Sequence, residues 1–128
     1  MAKILIAEDE IELRDGLKTI LTMAGHQILE AANGEEALAL MRADRPDLVL
    51  LDMMMPVVDG TRVIEEMTAD DQLHGIPIII LTNFDLGFMK EVAMSDGVRD
   101  YIIKANISLD DIPARISKHL PRTAPVTT

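Results

Sequence analysis

The chain has 128 residues, of which 48% are hydrophobic and 27% charged, a composition that suits one folded domain and excludes a disordered chain. Its 22 acidic and 12 basic residues give a formal net charge of −10, which argues against direct nucleic-acid binding through a basic surface. Without cysteine, a signal-peptide pattern or an apolar run of membrane-spanning length, we expect a soluble cytoplasmic domain with no disulfide, thiolate metal site or membrane contact.

Five short apolar runs alternate with helical patterns along the chain. The runs predicted as strands are KILIA (3–7), QILEA (27–31), DLVLL (47–51), IPIIIL (76–81) and DYIIK (100–104). Three of them are almost wholly apolar, as expected for central strands covered on both faces, whereas QILEA is mixed and suits an edge. The strict alternation predicts a parallel sheet with right-handed crossovers and helices on both faces.

Five helices are predicted between and after these strands. Apolar positions from Leu13 to Ala24 mark the first helix, and Gly25 ends it. Asn33 and Glu36 form a capping-box arrangement at the start of the second. The other helices are predicted around Val63, Ile64 and Met67, around residues 86–95, and from a second capping box in SLDD (108–111). We therefore expect one domain over residues 1–120, followed by a flexible tail or linker stub over 121–128.

Polar side chains follow four of the five predicted strands. They are Glu8, Asp9 and Glu10 after the first strand, Asp52 after the third, Thr82 and Asn83 after the fourth, and Lys104 at the end of the fifth. The carboxyl ends of parallel strands lie along one edge of the sheet, so these groups should converge there. Crowded carboxylates repel each other unless a cation joins them, and an oxygen-only ligand set favours Mg²⁺ or Mn²⁺ over zinc. A carboxylate at the end of a central strand, Asp52, can then act as a nucleophile that forms an acyl phosphate.

Four motifs carry a resemblance to a known family. They are ILIAEDE (4–10), LVLLDMMMPVVDG (48–60), IIILTN (78–83) and DYIIKA (100–105). In this order and spacing the chain, up to about residue 120, resembles the receiver domain of two-component response regulators, in a form like the single-domain chemotaxis regulators. The resemblance implies a flavodoxin-like doubly wound fold of five strand–helix units with strand order 2-1-3-4-5.

The resemblance also implies a role for each matching residue. Asp52 would accept a phosphoryl group from the phosphohistidine of a sensor histidine kinase or a phosphotransfer protein. Mg²⁺, or Mn²⁺ in its place, would be held by Asp9, Asp52 and the backbone carbonyl of Met54, with Glu8 acting through a water. Thr82 and Lys104 would bind the phosphoryl group, and Thr82 and Tyr101 would switch conformation in response.

The function implied is signalling rather than enzymatic turnover. Beyond Mg²⁺-dependent self-phosphorylation and slow autodephosphorylation, the phosphorylated domain would remodel a surface made by the fourth helix, fifth strand and fifth helix. That surface would bind a downstream protein target, and it allows a homodimer to form on phosphorylation. The chain could be a stand-alone regulator or a receiver cut from a longer one.

The sequence departs from the family pattern at three positions. Ala105 follows Lys104 where the family has a proline with a cis bond, and a non-proline cis bond costs about 2.5–4 kcal/mol, so we predict a trans bond and an altered loop at 104–107. Glu8 replaces a common Asp, and Asn83 replaces a small residue. The bulkier Asn83 should narrow access to the acyl phosphate. Met54 and Phe84 stand at positions that tune dephosphorylation in the family, and as apolar side chains they would not orient an attacking water. We therefore predict slow reaction of the site with small phosphodonors and slow hydrolysis of the acyl phosphate.

Other functions are less well supported by the residues. A phosphotransferase of the haloacid dehalogenase type needs a second acid two residues after its nucleophile, where this chain has Met54. A flavodoxin-like cofactor carrier needs a Ser/Thr-rich phosphate loop after the first strand, where this chain has acids. A phosphorylation-independent interaction domain stays open because of Asn83 and Ala105.

Overall fold

The computed structural model of the chain describes residues 2–83 and 97–120. Its strands and helices are β1 (Lys3–Ala7), α1 (Ile11–Met23), β2 (Gln27–Ala31), α2 (Gly34–Ala43), β3 (Leu48–Asp52), α3 (Gly60–Ala69), β4 (Ile78–Thr82), β5 (Val98–Ile103) and a C-terminal helix, Ile112–His119. Two single-turn 3₁₀ helices, Lys104–Asn106 and Leu109–Asp111, connect β5 to the C-terminal helix. The helix predicted around residues 86–95, Phe84 and the tail over 121–128 lie outside the described residues. No helix in the described ranges is both long and apolar enough to traverse a lipid bilayer.

The five strands form one parallel sheet in the order β2-β1-β3-β4-β5, which confirms the predicted flavodoxin-like fold. Every residue of β3 and of β4 is buried, as expected for central strands, whereas β2 at the edge is only partly buried. The register pairs Ala7 with Leu51 and Asp52 with Leu81, so the carboxyl ends of β1, β3 and β4 lie side by side. This alignment brings the residues that follow these strands to one edge of the sheet.

Three predicted strand boundaries were wrong by one to two residues. β3 and β4 continue through Asp52 and Thr82, because pairing depends on the backbone and not on side-chain polarity. β4 begins only after Pro77, which has no N–H to donate, although its carbonyl accepts a hydrogen bond from Val49 at 3.0 Å. β5 begins at Val98, two residues before the prediction, with an irregularity that leaves Arg99 outside the pairing.

Two apolar layers cover the two faces of the sheet, because alternate residues of each strand point to opposite sides. On one side Leu5, Val49, Leu51, Ile78 and Ile80 pack with buried residues of α2 and α3. On the other side Ile4, Ile6, Leu48, Leu50, Ile79 and Leu81 pack with buried residues of α1 and the C-terminal helix. Each fully buried Leu or Ile contributes about 1.5–3 kcal/mol relative to exposure, so the sheet is a rigid support for its polar edge.

The helix ends show which capping predictions hold. Gly25 has φ +96° and follows α1, and Asn33 caps α2 by accepting a hydrogen bond from the Glu36 N–H at 2.9 Å. Asp59 caps α3 in the same way, a cap that was not predicted. The second capping box was wrong: the Ser108 side chain makes no capping bond, and its backbone carbonyl accepts the Asp111 N–H at 3.0 Å. That bond closes a 3₁₀ turn, and the C-terminal helix begins only at Ile112.

Candidate functional site

The polar edge of the sheet brings together most of the residues that were predicted to form a site. Glu8, Asp52 and Thr82 are buried there, Asp9 is exposed beside them, and the side chain of Lys104 reaches in from the end of β5. Glu8 and Asp9 follow β1 directly, while Asp52 and Thr82 are the last residues of β3 and β4. The strand register therefore places an acid, an acid and a hydroxyl on three adjacent strands.

Asp52 is held at both of its carboxylate oxygens. Its Oδ1 accepts the backbone N–H of Met54 at 3.0 Å, and its Oδ2 accepts Nζ of Lys104 at 3.0 Å. The residue is 2% exposed, and this burial raises the pKa of the carboxyl, although the bonds from Met54 and Lys104 act in the opposite direction. The backbone N–H of Met53 donates to the Leu81 carbonyl at 3.1 Å, which fixes the strand end. Both oxygens of the carboxylate are thus fixed in position at the buried end of β3.

Lys104 is the ammonium group of the site and contacts three carboxylates. Its Nζ lies 2.9 Å from Oε1 of Glu8, 2.9 Å from Oε1 of Glu10 and 3.0 Å from Oδ2 of Asp52. Burial alone would lower the pKa of Lys104, but the hydrogen bonds to these acids outweigh it and raise the pKa above its usual value. The Lys104–Ala105 bond is trans, as predicted, and the chain enters a 3₁₀ turn there. The lysine therefore stays charged over the whole physiological pH range.

Glu8 is fully buried and depends on the ammonium of Lys104 for charge compensation. Its Oε2 accepts the Glu10 N–H and Nζ of Lys104, each at 3.0 Å. Its Oε1 is buried without a hydrogen bond, although the ammonium lies nearby. Burial, together with the charge of Asp52, raises the pKa of Glu8 to about 7. The ion pair with Lys104 at 2.9 Å is therefore what compensates this buried oxygen, and the same ammonium is shared with Asp52 and Glu10.

The donor set fits a hard divalent cation. One carboxylate oxygen from each of Glu8, Asp9 and Asp52 lies within 4.8 Å of the others. Among the described residues, three carboxylates face the one ammonium of Lys104, which leaves excess negative charge. Oxygen ligands without His or Cys select Mg²⁺ or Mn²⁺. These residues could therefore hold the predicted metal.

The two residues predicted to switch lie on neighbouring strands at different depths. Thr82 is buried at the end of β4 and pairs with Ile103, next to Lys104. Tyr101 is half-buried, pairs with Ile80, and packs against the apolar layer that faces α2 and α3. Its ring is therefore part of the packed sheet rather than of the acidic cluster. Asn83 is exposed just beyond Thr82.

Two charged residues at the site were not predicted to have a role. Glu10 was recognised only as the third acid of the EDE run, yet its carboxylate contacts Lys104. Arg14 donates from its guanidinium to the backbone carbonyl of Glu8 at 2.7 Å and pairs with Glu30. The position of Arg14 four residues after Glu10, on the first turn of α1, was a signal that could have indicated proximity.

Two glycines, Gly34 and Gly60, let the loop after β3 pack closely, and this too was missed. A Cβ on Gly60 would lie 2.6 Å from Cα of Met53 and 2.9 Å from the Asp52 carbonyl oxygen. A Cβ on Gly34 would lie 2.1 Å from the backbone oxygen of Val58 in the same loop. Since backbone atoms cannot move aside as a side chain can, both positions require glycine.

Val57 has the only positive φ among the described non-glycine residues, at 69°. It lies in the same loop and is 73% exposed, so packing does not hold it in this conformation. A β-branched residue in the left-handed region is strained. The loop after Asp52 therefore stores strain within a few residues of the site.

Most of the chain matches a known protein family. A family model described as the response regulator receiver domain matches residues 4–117. The protein PilH of Pseudomonas aeruginosa is 38% identical over 104 residues, which cover 81% of this chain and 86% of PilH. The probable transcriptional regulator ycf27 of Porphyra purpurea is 38% identical over 126 residues, 98% of this chain but 50% of that protein. The chain thus spans about half the length of several curated relatives that it matches.

Solved structures show the same fold. The chemotaxis protein CheY4 of Vibrio cholerae superposes with a TM-score of 0.86 at 28% identity, covering 94% of this chain and 99% of that one. The receiver domain of the sensor histidine kinase PA1611 from Pseudomonas aeruginosa has a TM-score of 0.81 at 26% identity, covering 91% and 95%. The latter structure has a magnesium ion coordinated in its active site cleft.

Proposed function

The chain belongs to the family of response regulator receiver domains, and we propose that it accepts a phosphoryl group on Asp52 from a sensor histidine kinase or a phosphotransfer protein. The observation that carries the proposal is the setting of Asp52. It ends a fully buried strand, and its two oxygens are held by the Met54 N–H and by Lys104. A buried carboxylate needs a cation in any role, so the support specific to phosphoryl transfer is the grouping of Glu8 and Asp9 around Asp52.

The proposed reaction is a transfer between two nucleophiles. A carboxylate oxygen of Asp52 forms a bond to phosphorus as the bond from phosphorus to the imidazole nitrogen of the donor breaks, and the electron pair stays on that nitrogen. The ammonium of Lys104 and the hydroxyl of Thr82 then stabilise the phosphoryl oxygens. Positioning and charge neutralisation supply most of the rate, because the protein has no acid–base step to perform on the carboxylate itself.

Receiver domains bind Mg²⁺ at an acidic pocket, and we assign that role here to Asp9, Asp52 and the Met54 backbone carbonyl, with Glu8 acting through a water. The grouping of the three carboxylates supports the assignment. So does the magnesium ion in the cleft of the PA1611 domain. Mg²⁺, or Mn²⁺ in its place, would supply the positive charge that offsets the incoming phosphoryl group.

Phosphorylation would be read out on the surface that includes β5 and the C-terminal helix. Thr82 pairs with Ile103 of β5, the strand that also carries Asp100 and Tyr101. A movement of Thr82 toward the phosphoryl group would therefore act directly on this strand. The guanidinium of Arg115 bonds both to Asp100 at 2.8 Å and to the Tyr101 carbonyl at 3.1 Å, which links β5 to the C-terminal helix. We propose that a downstream protein, or a second copy of the chain, binds this surface, and that this occurs in the cytoplasm without contact to nucleic acid.

The decisive experiment compares the wild type with Asp52→Asn. We expect the wild type, with Mg²⁺ and a small phosphodonor, to gain the mass of one phosphoryl group, and Asp52→Asn to gain none. Asp15→Asn, an exposed acid on α1, is the matched control and should behave as the wild type. If the wild type responds neither to the phosphodonor nor to beryllofluoride, the domain is a phosphorylation-independent interaction module and the proposal is wrong.

The phosphorylated form should be long-lived. Met54 is 56% exposed at the mouth of the site and Asn83 is exposed at its edge, and neither provides a base to orient water. Phe84, the third residue of this prediction, lies outside the described residues. We expect the phosphoaspartate to persist for minutes or longer after the donor is removed, as measured by intact-protein mass, whereas a lifetime of seconds would contradict this.

A further inference from the structure

Lys104 has three donor hydrogens and three carboxylate partners. Its Nζ donates to Oε2 of Glu8 at 3.0 Å, to Oε1 of Glu10 at 2.9 Å and to Oδ2 of Asp52 at 3.0 Å. An ammonium group has no further donor to offer. A phosphoryl oxygen that is to be bound by Lys104 must therefore displace one of these bonds.

The three partners differ in how easily they can be displaced. The side chain of Glu8 is 0% exposed and that of Asp52 2%, whereas the side chain of Glu10 is 56% exposed. Asp52 carries the phosphoryl group itself and can exchange its own contact for one phosphoryl oxygen, so any further donor of Lys104 must come from Glu8 or Glu10. A buried carboxylate such as Glu8 that loses its ammonium is left without compensation, which is strongly unfavourable. An exposed carboxylate that loses the same ammonium is rehydrated at little cost.

The backbone around Glu10 allows this exchange without any change of fold. Its N–H donates to Oε2 of Glu8 at 3.0 Å, and its carbonyl accepts the Arg14 N–H at 3.0 Å in the first turn of α1. Both ends of the residue are thus fixed while the carboxylate lies at the surface. A rotation of the side chain alone takes the carboxylate off Lys104.

We propose that Glu10 is a positioning residue that occupies the third donor of Lys104 in the unphosphorylated domain and is displaced by the phosphoryl group. Breaking this contact opposes phosphorylation, so Glu10 sets how readily the site accepts a phosphoryl group or an analogue of one. The inference rests on the proposed phosphoacceptor role of Asp52 and adds a residue that controls it.

The test is a titration of the whole chain with beryllofluoride at saturating Mg²⁺. Glu10→Gln removes the charge of the acid and keeps its length, whereas Glu10→Asp keeps the charge but is one methylene too short for the contact. We expect both variants to bind beryllofluoride about twofold to fivefold more tightly than the wild type, the range for loss of an exposed ion pair. Glu12→Gln, an exposed acid in the same helical turn, is the control for charge removal and should bind as the wild type.

The outcomes distinguish the direct contact between Glu10 and Lys104 from a long-range effect of the charge of Glu10. If Glu10→Gln binds more tightly but Glu10→Asp binds as the wild type, the effect is long-range charge repulsion and the proposal is wrong. It is also wrong if neither variant differs from a wild type that binds normally, and in that case the phosphoacceptor role of Asp52 still stands. A wild type that neither binds beryllofluoride nor accepts a phosphoryl group would contradict the proposed function, and this inference with it.

A second measurement follows the contact directly. The side-chain carboxyl resonance of Glu10, assigned by its loss in Glu10→Gln, should move toward the position of exposed Glu12 when beryllofluoride binds. If this resonance stays in place at saturating beryllofluoride, Glu10 remains on Lys104 and is not the displaced partner.

Discussion

The carboxyl group of Glu8 makes stability depend on pH in an unusual direction. Its pKa is 4.5 in the unfolded chain and about 7 in the fold, because it is buried beside Asp52. Between these pH values the folded domain keeps a proton that the unfolded chain has released, so raising the pH favours unfolding. The raised pKa of Asp52 acts with the same sign, whereas the lowered pKa values of Asp70 and Asp100 fall below this range.

We therefore predict that the metal-free domain loses about 1–3 kcal/mol of unfolding free energy from Glu8 as the pH rises from 4.5 to 7. The measurement is urea unfolding across this range for the wild type and Glu8→Gln. The difference between the two curves cancels other groups, such as His26, and should shrink when Mg²⁺ takes the place of the proton. If the unfolding free energy of Glu8→Gln depends on pH as steeply as that of the wild type, Glu8 is not the group that titrates.

Val57 provides a second prediction at the scale of one residue. A positive φ in a β-branched residue costs about 1–3 kcal/mol, and glycine adopts that conformation without strain. We expect Val57→Gly to raise the unfolding free energy by about 1 kcal/mol after the entropy cost of glycine, with a melting temperature a few degrees higher. Val57→Ala keeps a Cβ and should gain less. A loss of stability in Val57→Gly would mean that the exposed valine side chain makes contacts that the strain argument ignores.

At the scale of elements, the loop between β3 and α3 should be intolerant of a methyl group at Gly60. The added Cβ would meet backbone atoms of Met53 and Asp52, so we expect Gly60→Ala to cost about 1–3 kcal/mol and to weaken Mg²⁺ binding. Gly16→Ala is the matched control inside α1, where the new Cβ meets only the end of the Leu109 side chain at 3.0 Å. Chemical denaturation and Mg²⁺ titration of both variants test this. If both substitutions lower the unfolding free energy and weaken Mg²⁺ binding equally, the contact of the new Cβ with the backbone of Met53 and Asp52 is not the cause.

The elements themselves could be read from the sequence better than their ends. Apolar runs and helical spacing located every strand and α-helix of the described residues, because burial requires them, whereas the two 3₁₀ helices were not predicted. Strand ends were misplaced where polar residues such as Asp52 and Thr82 still pair through their backbones. The start of the C-terminal helix was misplaced because a 3₁₀ turn satisfied the Asp111 N–H without the Ser108 side chain.

The site was predictable to the extent that it follows from the topology. A parallel sheet brings strand ends together, so Glu8, Asp9, Asp52, Thr82 and Lys104 could be expected at one edge. The contact between Glu10 and Lys104 spans 94 residues of sequence and depends on the rotamers of two long side chains. The close approach at Gly60 depends on the path of a loop. No local pattern encodes either feature.

For the whole molecule, the net charge of −10 should control access to the site. The excess of acidic over basic residues in the whole chain repels an anionic phosphodonor, and salt screens this repulsion over about 10 Å at 0.1 M. At saturating Mg²⁺ we expect the rate of phosphorylation by a small dianionic donor to rise about twofold between 10 and 200 mM salt. A monoanionic donor should respond less. A rate that falls with salt for both donors would indicate a local positive field that overrides the net charge.

Because β3 and β4 are completely buried, the strands that carry the site should resist local unfolding. Amides in the central strands of a sheet exchange with solvent only when the entire domain opens, so Val49–Leu51 and Ile79–Leu81 should be among the last to take up deuterium. The strand that carries Asp52 therefore cannot unravel while the rest of the fold remains. Stoichiometric titration with beryllofluoride would then count folded molecules, and a preparation that is half active would be a preparation that is half unfolded.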